Sequence, residues 1–130
     1  MNRHFFRALF FAIVLLPLVS QYNMGLGNAV ADEKRDFFEE KIRPIFVKHC
    51  YDCHGDGENE GKLSLDSKAG WQRGGERGPA ILPGDPVASL LFQVVQHADP
   101  KLRMPPVDAG KPLSKSQIAD LSQWIRDGAV

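Results

Sequence analysis

Two cysteines and a histidine stand close enough in the sequence to share one chemical task. Cys50, Cys53 and His54 occur in the segment Cys-Tyr-Asp-Cys-His, and the chain contains no other cysteine. On a helical turn, two thiols at this spacing can form thioethers with the vinyl groups of a haem, and the next imidazole can then ligate the iron. The spacing therefore predicts one haem c, bound covalently through Cys50 and Cys53, with His54 as an iron ligand.

Other uses of the cysteine pair agree less well with the surrounding sequence. A redox-active dithiol of the thioredoxin type normally follows a strand of a βαβ unit, whereas a helix is predicted before Cys50. Structural zinc takes four ligands, and beyond the motif only His49 and His97 remain after residue 31. A plain disulfide is the third alternative. Haem attachment is therefore the preferred interpretation.

A haem that only transfers electrons usually has a second axial ligand, which is methionine or histidine. After residue 31 the chain has one methionine, Met104, and two prolines follow it directly. Prolines restrict the unfolded loop and would help to hold a thioether sulfur at the iron. We predict Met104 as the second ligand, with a core-filling role as the alternative. His97 is the chief rival ligand, and His49 is poorly placed to reach the far face of the same haem.

The first residues of the chain have the features of an export signal. Basic residues precede an apolar stretch at residues 8–19, which is shorter than the roughly 20 residues of a membrane-spanning helix. Small residues predict cleavage after Ala31, so residues 1–31 are interpreted as a signal peptide and residues 32–130 as one domain. Such a domain would function in the periplasm or elsewhere outside the cytoplasmic membrane. Without cleavage, the segment would associate the domain with a membrane.

The charge pattern excludes one class of partner. The chain has 16 basic and 16 acidic residues, and the basic residues are scattered among acids instead of forming a stripe. Nucleic-acid binding is therefore not expected, because it normally requires a clustered positive surface.

Hydrophobic periodicity predicts an all-α fold with three main helices joined by loops. The first helix covers residues 32–49 and contains Pro44, which lacks an N–H and should cause a kink or a restart near Arg43. The second should begin with Asp85 as its N-cap and run to about Gln96. Residues 55–83 are rich in glycine and read as loop, with one short helix at residues 67–72.

The third helix has the clearest boundaries. Ser114 and Gln117 form a capping-box pattern, and Gly128 follows the last periodic residues. Trp124 lies on the apolar side of this helix and is expected to pack in the core against Phe38 or Phe46. Three other side chains, Trp71, Arg73 and Arg77, are donors that could hydrogen-bond to haem propionates.

Together these segments resemble class I cytochromes c, and more narrowly the planctomycete-type cytochrome c domain. The resemblance includes the helix before the haem motif, the Gly-Pro-Ala-Ile-Leu-Pro-Gly-Asp-Pro segment at 78–86, Met-Pro-Pro at 104–106 and Leu-Ser-Gln-Trp-Ile at 121–125. It implies a small cytochrome c fold whose first and last helices cross beside one haem, with His54 and Met104 as axial ligands. It also implies that Pro79 O accepts a hydrogen bond from His54 Nδ1–H, which would orient the ring.

These expectations favour an electron carrier over an enzyme. Its donor and acceptor would be other redox proteins, which dock through small, transient interfaces. A gas sensor or a peroxidase-like module is the alternative from another class, and it would need an open iron site, against which Met104 argues. A subunit of a larger oxidoreductase would differ from the free carrier only in its partner.

Overall fold

The computed structural model describes residues 16–130 of the chain. The chain divides into two units, residues 1–33 and Lys34–Val130, and each is described by itself. The described residues of the first unit are all helical. No helix in the part that the structure describes is long and apolar enough to cross a membrane. Because residues 1–15 of the predicted signal lie outside this part, both the signal and the domain boundary after Ala31 stay predictions.

The described residues are mostly helical and contain no strand, apart from one isolated bridge between Gly75 and Gly78. A π-helical turn joins the first two α-helices, and a 3-10 turn follows the third. The all-α class is thus confirmed, but residues 16–130 form six α-helical segments where three main helices were predicted. In chain order the elements are α1 (Leu16–Phe37), the π-helix (Phe38–Ile42), α2 (Arg43–His49), α3 (Tyr51–His54), the 3-10 turn (Glu60–Lys62), α4 (Lys68–Arg73), α5 (Leu90–Val95) and α6 (Lys115–Arg126).

The predicted restart near Arg43 takes the form of the π-helical turn. Arg43 N–H donates to Phe38 O, five residues earlier, instead of four. Pro44 then lies in the first turn of α2, where its missing N–H leaves no helical hydrogen bond unmade. A side-chain hydrogen bond stabilises the turn, because Glu39 Oε1 accepts from Arg43 Nη2 at 2.7 Å. The extra residue in the turn thus accommodates the proline without ending the helical path.

The start of α5 corrects the prediction for the second helix. Asp85 Oδ1 does accept from Ala88 N–H at 3.0 Å, as an N-cap would, but only a turn follows and the helix begins at Leu90. The reason is Ser89, which is fully buried and extended. Its hydroxyl donates to Asp85 O at 2.8 Å and accepts from Leu82 N–H at 2.9 Å. These tertiary bonds hold Ser89 outside the helix.

Both predicted ends of α6 are confirmed. Ser114 Oγ accepts from Gln117 N–H at 3.2 Å, and Gln117 Oε1 accepts from Ser114 N–H at 2.8 Å, which completes the capping box. At the other end Gly128 adopts a φ of 102° and donates its N–H to Ile125 O at 3.0 Å. Only glycine takes this left-handed conformation at little cost, so the helix stops there.

Four aromatic rings form the centre of the core of the second unit. The ring of Trp124 lies 5.6 Å from Phe38, 5.6 Å from Phe46 and 5.5 Å from Trp71, measured between centroids. Lys34 Nζ also donates to Asp127 O, at the end of α6, at 2.7 Å. The core role predicted for Trp124 is therefore confirmed, and α6 lies against the segment that leads into the cysteine motif.

Candidate haem-attachment site

One helical turn brings the cysteines and the histidine of the motif together. Cys50 lies at the junction of α2 and α3, where its N–H donates to Phe46 O at 2.9 Å. Its own carbonyl accepts from His54 N–H at 2.8 Å and from Cys53 N–H at 3.2 Å. The rigid α2 thus presents Cys50, and the bonds to Cys50 O close the turn that carries the other two side chains.

Both cysteines are free, partly buried thiols. Burial raises the pKa of Cys50 to about 12, and the nearby Cys53 adds to this effect. The pKa of Cys53 is also raised, mainly by burial. The negative charges of Glu60, Asp52 and Glu58 raise it further. Both groups are therefore protonated at neutral pH. Redox-active dithiols have the opposite property, since their attacking thiolate is stabilised by a lowered pKa.

His54 is held by the loop that follows it. Its Nδ1 lies 3.3 Å from Leu63 O, and its carbonyl accepts from Leu65 N–H at 2.6 Å. With the proton on Nδ1, the ring donates to Leu63 O and leaves the Nε2 lone pair for a metal. The structure pairs Nδ1 with Leu63 O and not with Pro79 O. The hydrogen bond to Pro79 stays a prediction for the haem-bound protein, and the Leu63 partner was missed because no local pattern indicated it.

A short hydrogen-bonded network stabilises that loop. The Asp66 carboxylate accepts from the Ser64 hydroxyl and from Asp56 N–H, the latter at 3.2 Å. The bond from Ser64 is the main cause of the lowered pKa of Asp66. Because Asp56 and Ser64 flank the loop between His54 and Leu65, the carboxylate helps to hold Leu63 O in place near the imidazole.

Met104 lies far from the motif in sequence and is tied to the end of α5. Its N–H donates to Val94 O at 3.1 Å, and its carbonyl oxygen lies 3.0 Å from His97 Nε2. The side chain is 39% exposed, and the peptide bond to Pro105 is cis. Met104 is thus a poorly buried apolar side chain on a well-anchored backbone, which does not fit a core-filling role. The contact at Nε2 also engages the ring of the rival ligand His97.

Comparison with known proteins identifies the segment that carries these residues. Residues 50–108 match a family model described as Planctomycete cytochrome C. This segment is similar to planctomycete-type cytochrome c domains. The match starts at Cys50, includes Met104, and ends before α6, so the predicted resemblance is confirmed across the motif and the methionine loop. No curated protein and no solved structure matches the chain.

The side chains of the matched segment fit a covalent haem. Cys50 and Cys53 are unpaired thiols, His54 offers an imidazole, and Met104 offers a thioether. Among the described residues, no group of three or more histidine, cysteine, aspartate or glutamate side chains is placed to hold a metal ion. Two thiols, an imidazole and a thioether are the groups that would hold a haem c.

Arg103 adds a second feature that fits haem. Its Nε is buried and has no hydrogen-bond partner in the part of the chain that the structure describes. A buried guanidinium N–H without an acceptor is costly, and a carboxylate is the acceptor that it matches best. The propionates of a haem are such carboxylates. The sequence-based prediction missed Arg103, although its place directly before Met104 was an available signal.

The propionate donors proposed from the sequence lie elsewhere. Trp71 is buried in the aromatic core, with 3% of its surface exposed, and its ring packs on Trp124. Arg73 and Arg77 are both exposed. Their role at the propionates remains a prediction, and Arg103 is the arginine whose burial calls for an acceptor.

Proposed function

We propose that this chain is an exported mono-haem c-type cytochrome that carries single electrons between other redox proteins. The observation that carries the proposal is the placement of two free thiols and His54 within one helical turn, inside a cytochrome c domain. Once bound, the haem supplies an iron that changes between the ferric and ferrous states. Residues 1–31 would direct export and residues 32–130 would form the carrier.

The chain's own residues would hold the haem and its ligands. Cys50 and Cys53 would supply the two thioethers, and Arg103 would donate to a propionate. His54, oriented through Leu63 O, and Met104, anchored at α5, would be the axial ligands. Because both ligands belong to hydrogen-bonded segments, little rearrangement would accompany a change of charge at the iron. Rapid electron transfer requires this rigidity, since each moving group adds to the barrier.

The thiol pKa values argue against the main competing chemistry. A dithiol that exchanges electrons with disulfides needs a thiolate near neutral pH. The pKa of about 12 at Cys50 and the raised pKa of Cys53 keep both groups protonated. Their addition to haem vinyl groups, in which each S–H adds across a C=C bond, would therefore need the assistance of a maturation enzyme.

One observation favours a second candidate, a haem protein with an open iron site. The Met104 side chain is 39% exposed, and a methionine that left the iron would allow a diatomic gas or a peroxide to bind. Such a protein would be a sensor or a peroxidase-like module. The strength of the bond between Met104 and the iron therefore decides between the two candidates.

Visible spectroscopy would test the proposal. The full chain would be produced in a bacterium that carries the c-type haem-attachment machinery, and spectra would be recorded oxidised, reduced, and reduced with carbon monoxide. We expect the weak red charge-transfer band of iron–methionine bonding in the oxidised parent and no immediate shift with carbon monoxide. Met104→Ala should lose the band and bind carbon monoxide.

Each other outcome has a definite meaning. A parent that binds carbon monoxide at once would favour the sensor or peroxidase candidate, and a colourless protein would rule out haem. The matched control is Val107→Ala, which shortens a 70% exposed apolar side chain three residues after Met104 and should keep the band. Mass measurement of the purified chain would show whether it begins at Asp32, as cleavage after Ala31 requires.

A further inference from the structure

The end of α5 brings His97 to the backbone of the methionine loop. Val94 O accepts hydrogen bonds there from His97 N–H at 3.3 Å and from Met104 N–H at 3.1 Å. His97 has a φ of 55°, which turns the chain away from the helix. Its Nε2 then lies 3.0 Å from Met104 O. The N–H and the carbonyl of Met104 are therefore both bonded to one short stretch of the chain.

The chemistry of the contact assigns the donor. Met104 O can only accept, so His97 Nε2 must carry the hydrogen. This nitrogen then has no lone pair to give to a metal. The sequence suggested His97 as a competitor of Met104 for the iron. In the structure, the His97 ring is instead hydrogen-bonded to the backbone of Met104.

We propose that His97 is a positioning residue for the Met104 ligand, acting through the Nε2–H bond to Met104 O. This inference rests on the proposed role of Met104 in the haem protein. A thioether sulfur is a neutral, weak donor, so its bond to iron depends on a backbone that already places it there. Val94 holds the N–H side of Met104, and His97 holds the carbonyl side. Together they would hold the sulfur where it can compete with external ligands for the iron.

The bond has a function that the prolines cannot replace. Pro105 and Pro106 restrict rotation after Met104, but neither has an N–H that could bond Met104 O. Without His97, the Met104 carbonyl could rotate and the prolines would move with it. The iron–sulfur bond would then form and break more often, and carbon monoxide would enter more easily.

Two variants separate the hydrogen bond from the volume of the ring. His97→Phe keeps a ring but has no N–H, and His97→Gln keeps an N–H donor of similar reach. Gln96→Ala is the matched control, because it removes a neighbouring side-chain bond, from Gln96 Nε2 to Phe92 O at 3.0 Å, without touching Met104. The measurements on the haem-loaded chains are the red charge-transfer band, the reduction potential and the rate of carbon monoxide binding.

We expect His97→Phe to weaken the band, lower the potential, and bind carbon monoxide about tenfold faster than the parent, as the loss of one hydrogen bond would allow. His97→Gln should restore most of the parent behaviour, and Gln96→Ala should match the parent. If His97→Phe lowers only the thermal stability and leaves band, potential and rate unchanged, the positioning role is wrong.

The failure of the proposed function would look different. A parent without the red band would show that Met104 does not ligate the iron, whatever the His97 variants do. If the parent lacked the band and His97→Phe changed from a six-coordinate to a five-coordinate spectrum, His97 itself would be the ligand, and the positioning role would be overturned.

Discussion

Gln117 Nε2 lies 3.3 Å from His49 Nε2, so the capping box of α6 is joined to the residue directly before Cys50. The amide nitrogen is a donor, and His49 Nε2 must therefore accept with its lone pair. The same amide uses its Oε1 to accept from Ser114 N–H at 2.8 Å. Burial, and then the charge of Lys48, lower the pKa of His49. The neutral ring thus connects the start of α6 to the cysteine motif.

This contact predicts a loss of stability in mild acid. His49 has a folded-state pKa below its ordinary value of 6.5, so the unfolded chain takes up the proton more readily than the folded one. The contribution of the neutral His49 ring to the free energy of unfolding is then fully present above pH 6.5. It is lost as the pH falls below this value towards the folded-state pKa. Denaturant unfolding at a series of pH values should show this decline. His49→Gln should reduce it, and an equal decline in that variant would refute the prediction.

Trp124 should be among the most costly side chains to remove. It is 2% exposed and contacts three other aromatic rings. Trp124→Ala should lower the free energy of unfolding by about 3–5 kcal/mol, because it leaves a large cavity, and Trp124→Phe should cost less. Val87→Ala is the control, since Val87 is 76% exposed and should change stability by less than about 0.5 kcal/mol. Equal effects for Trp124→Ala and the control would contradict this account of the core.

Arg103→Met should affect the apo-protein and the haem protein differently. Without haem, removal of an unpaired buried N–H should leave stability unchanged or increase it. With haem, loss of the positive charge near a propionate should favour ferric iron and lower the reduction potential by on the order of tens of millivolts. Unfolding of the apo-protein and a redox titration of the haem protein would measure the two effects.

Lys101→Gln is the matched control for Arg103. It removes the same charge two residues away, from an exposed side chain, and should shift the potential much less because solvent screens it. Equal shifts in the two variants would indicate a general effect of charge and would argue against a propionate bond at Arg103.

The two cysteines should contribute separately to covalent attachment. Cys50→Ser and Cys53→Ser should each keep haem through one thioether, in lower yield, whereas the double variant should lose covalent haem completely. Haem staining after a denaturing gel would measure this, since only covalent haem stays with the chain. Tyr51→Phe, inside the same motif, should stain like the parent. Covalent haem in the double variant would disprove the attachment site.

Local sequence signals predicted much of the secondary structure. Pro44, Ser114 and Gly128 act through their own backbone chemistry, so the restart at Arg43 and both ends of α6 were predicted correctly. The start of α5 was not, because the Ser89 hydroxyl forms its bonds with Leu82 and Asp85 only in the folded chain. A cap residue such as Asp85 indicates where a helix can begin, and tertiary contacts select the actual position.

The sequence by itself determined the candidate chemistry of this protein. The spacing of Cys50, Cys53 and His54 acts within one helical turn, and such short-range geometry can be read from the order of residues. Only the tertiary structure decided which groups support that chemistry: Leu63 O at His54, His97 at Met104, and the unpaired Nε of Arg103. These contacts depend on loops that come together when the aromatic core forms, and no local pattern records which carbonyl or imidazole a folded loop will place beside a given atom.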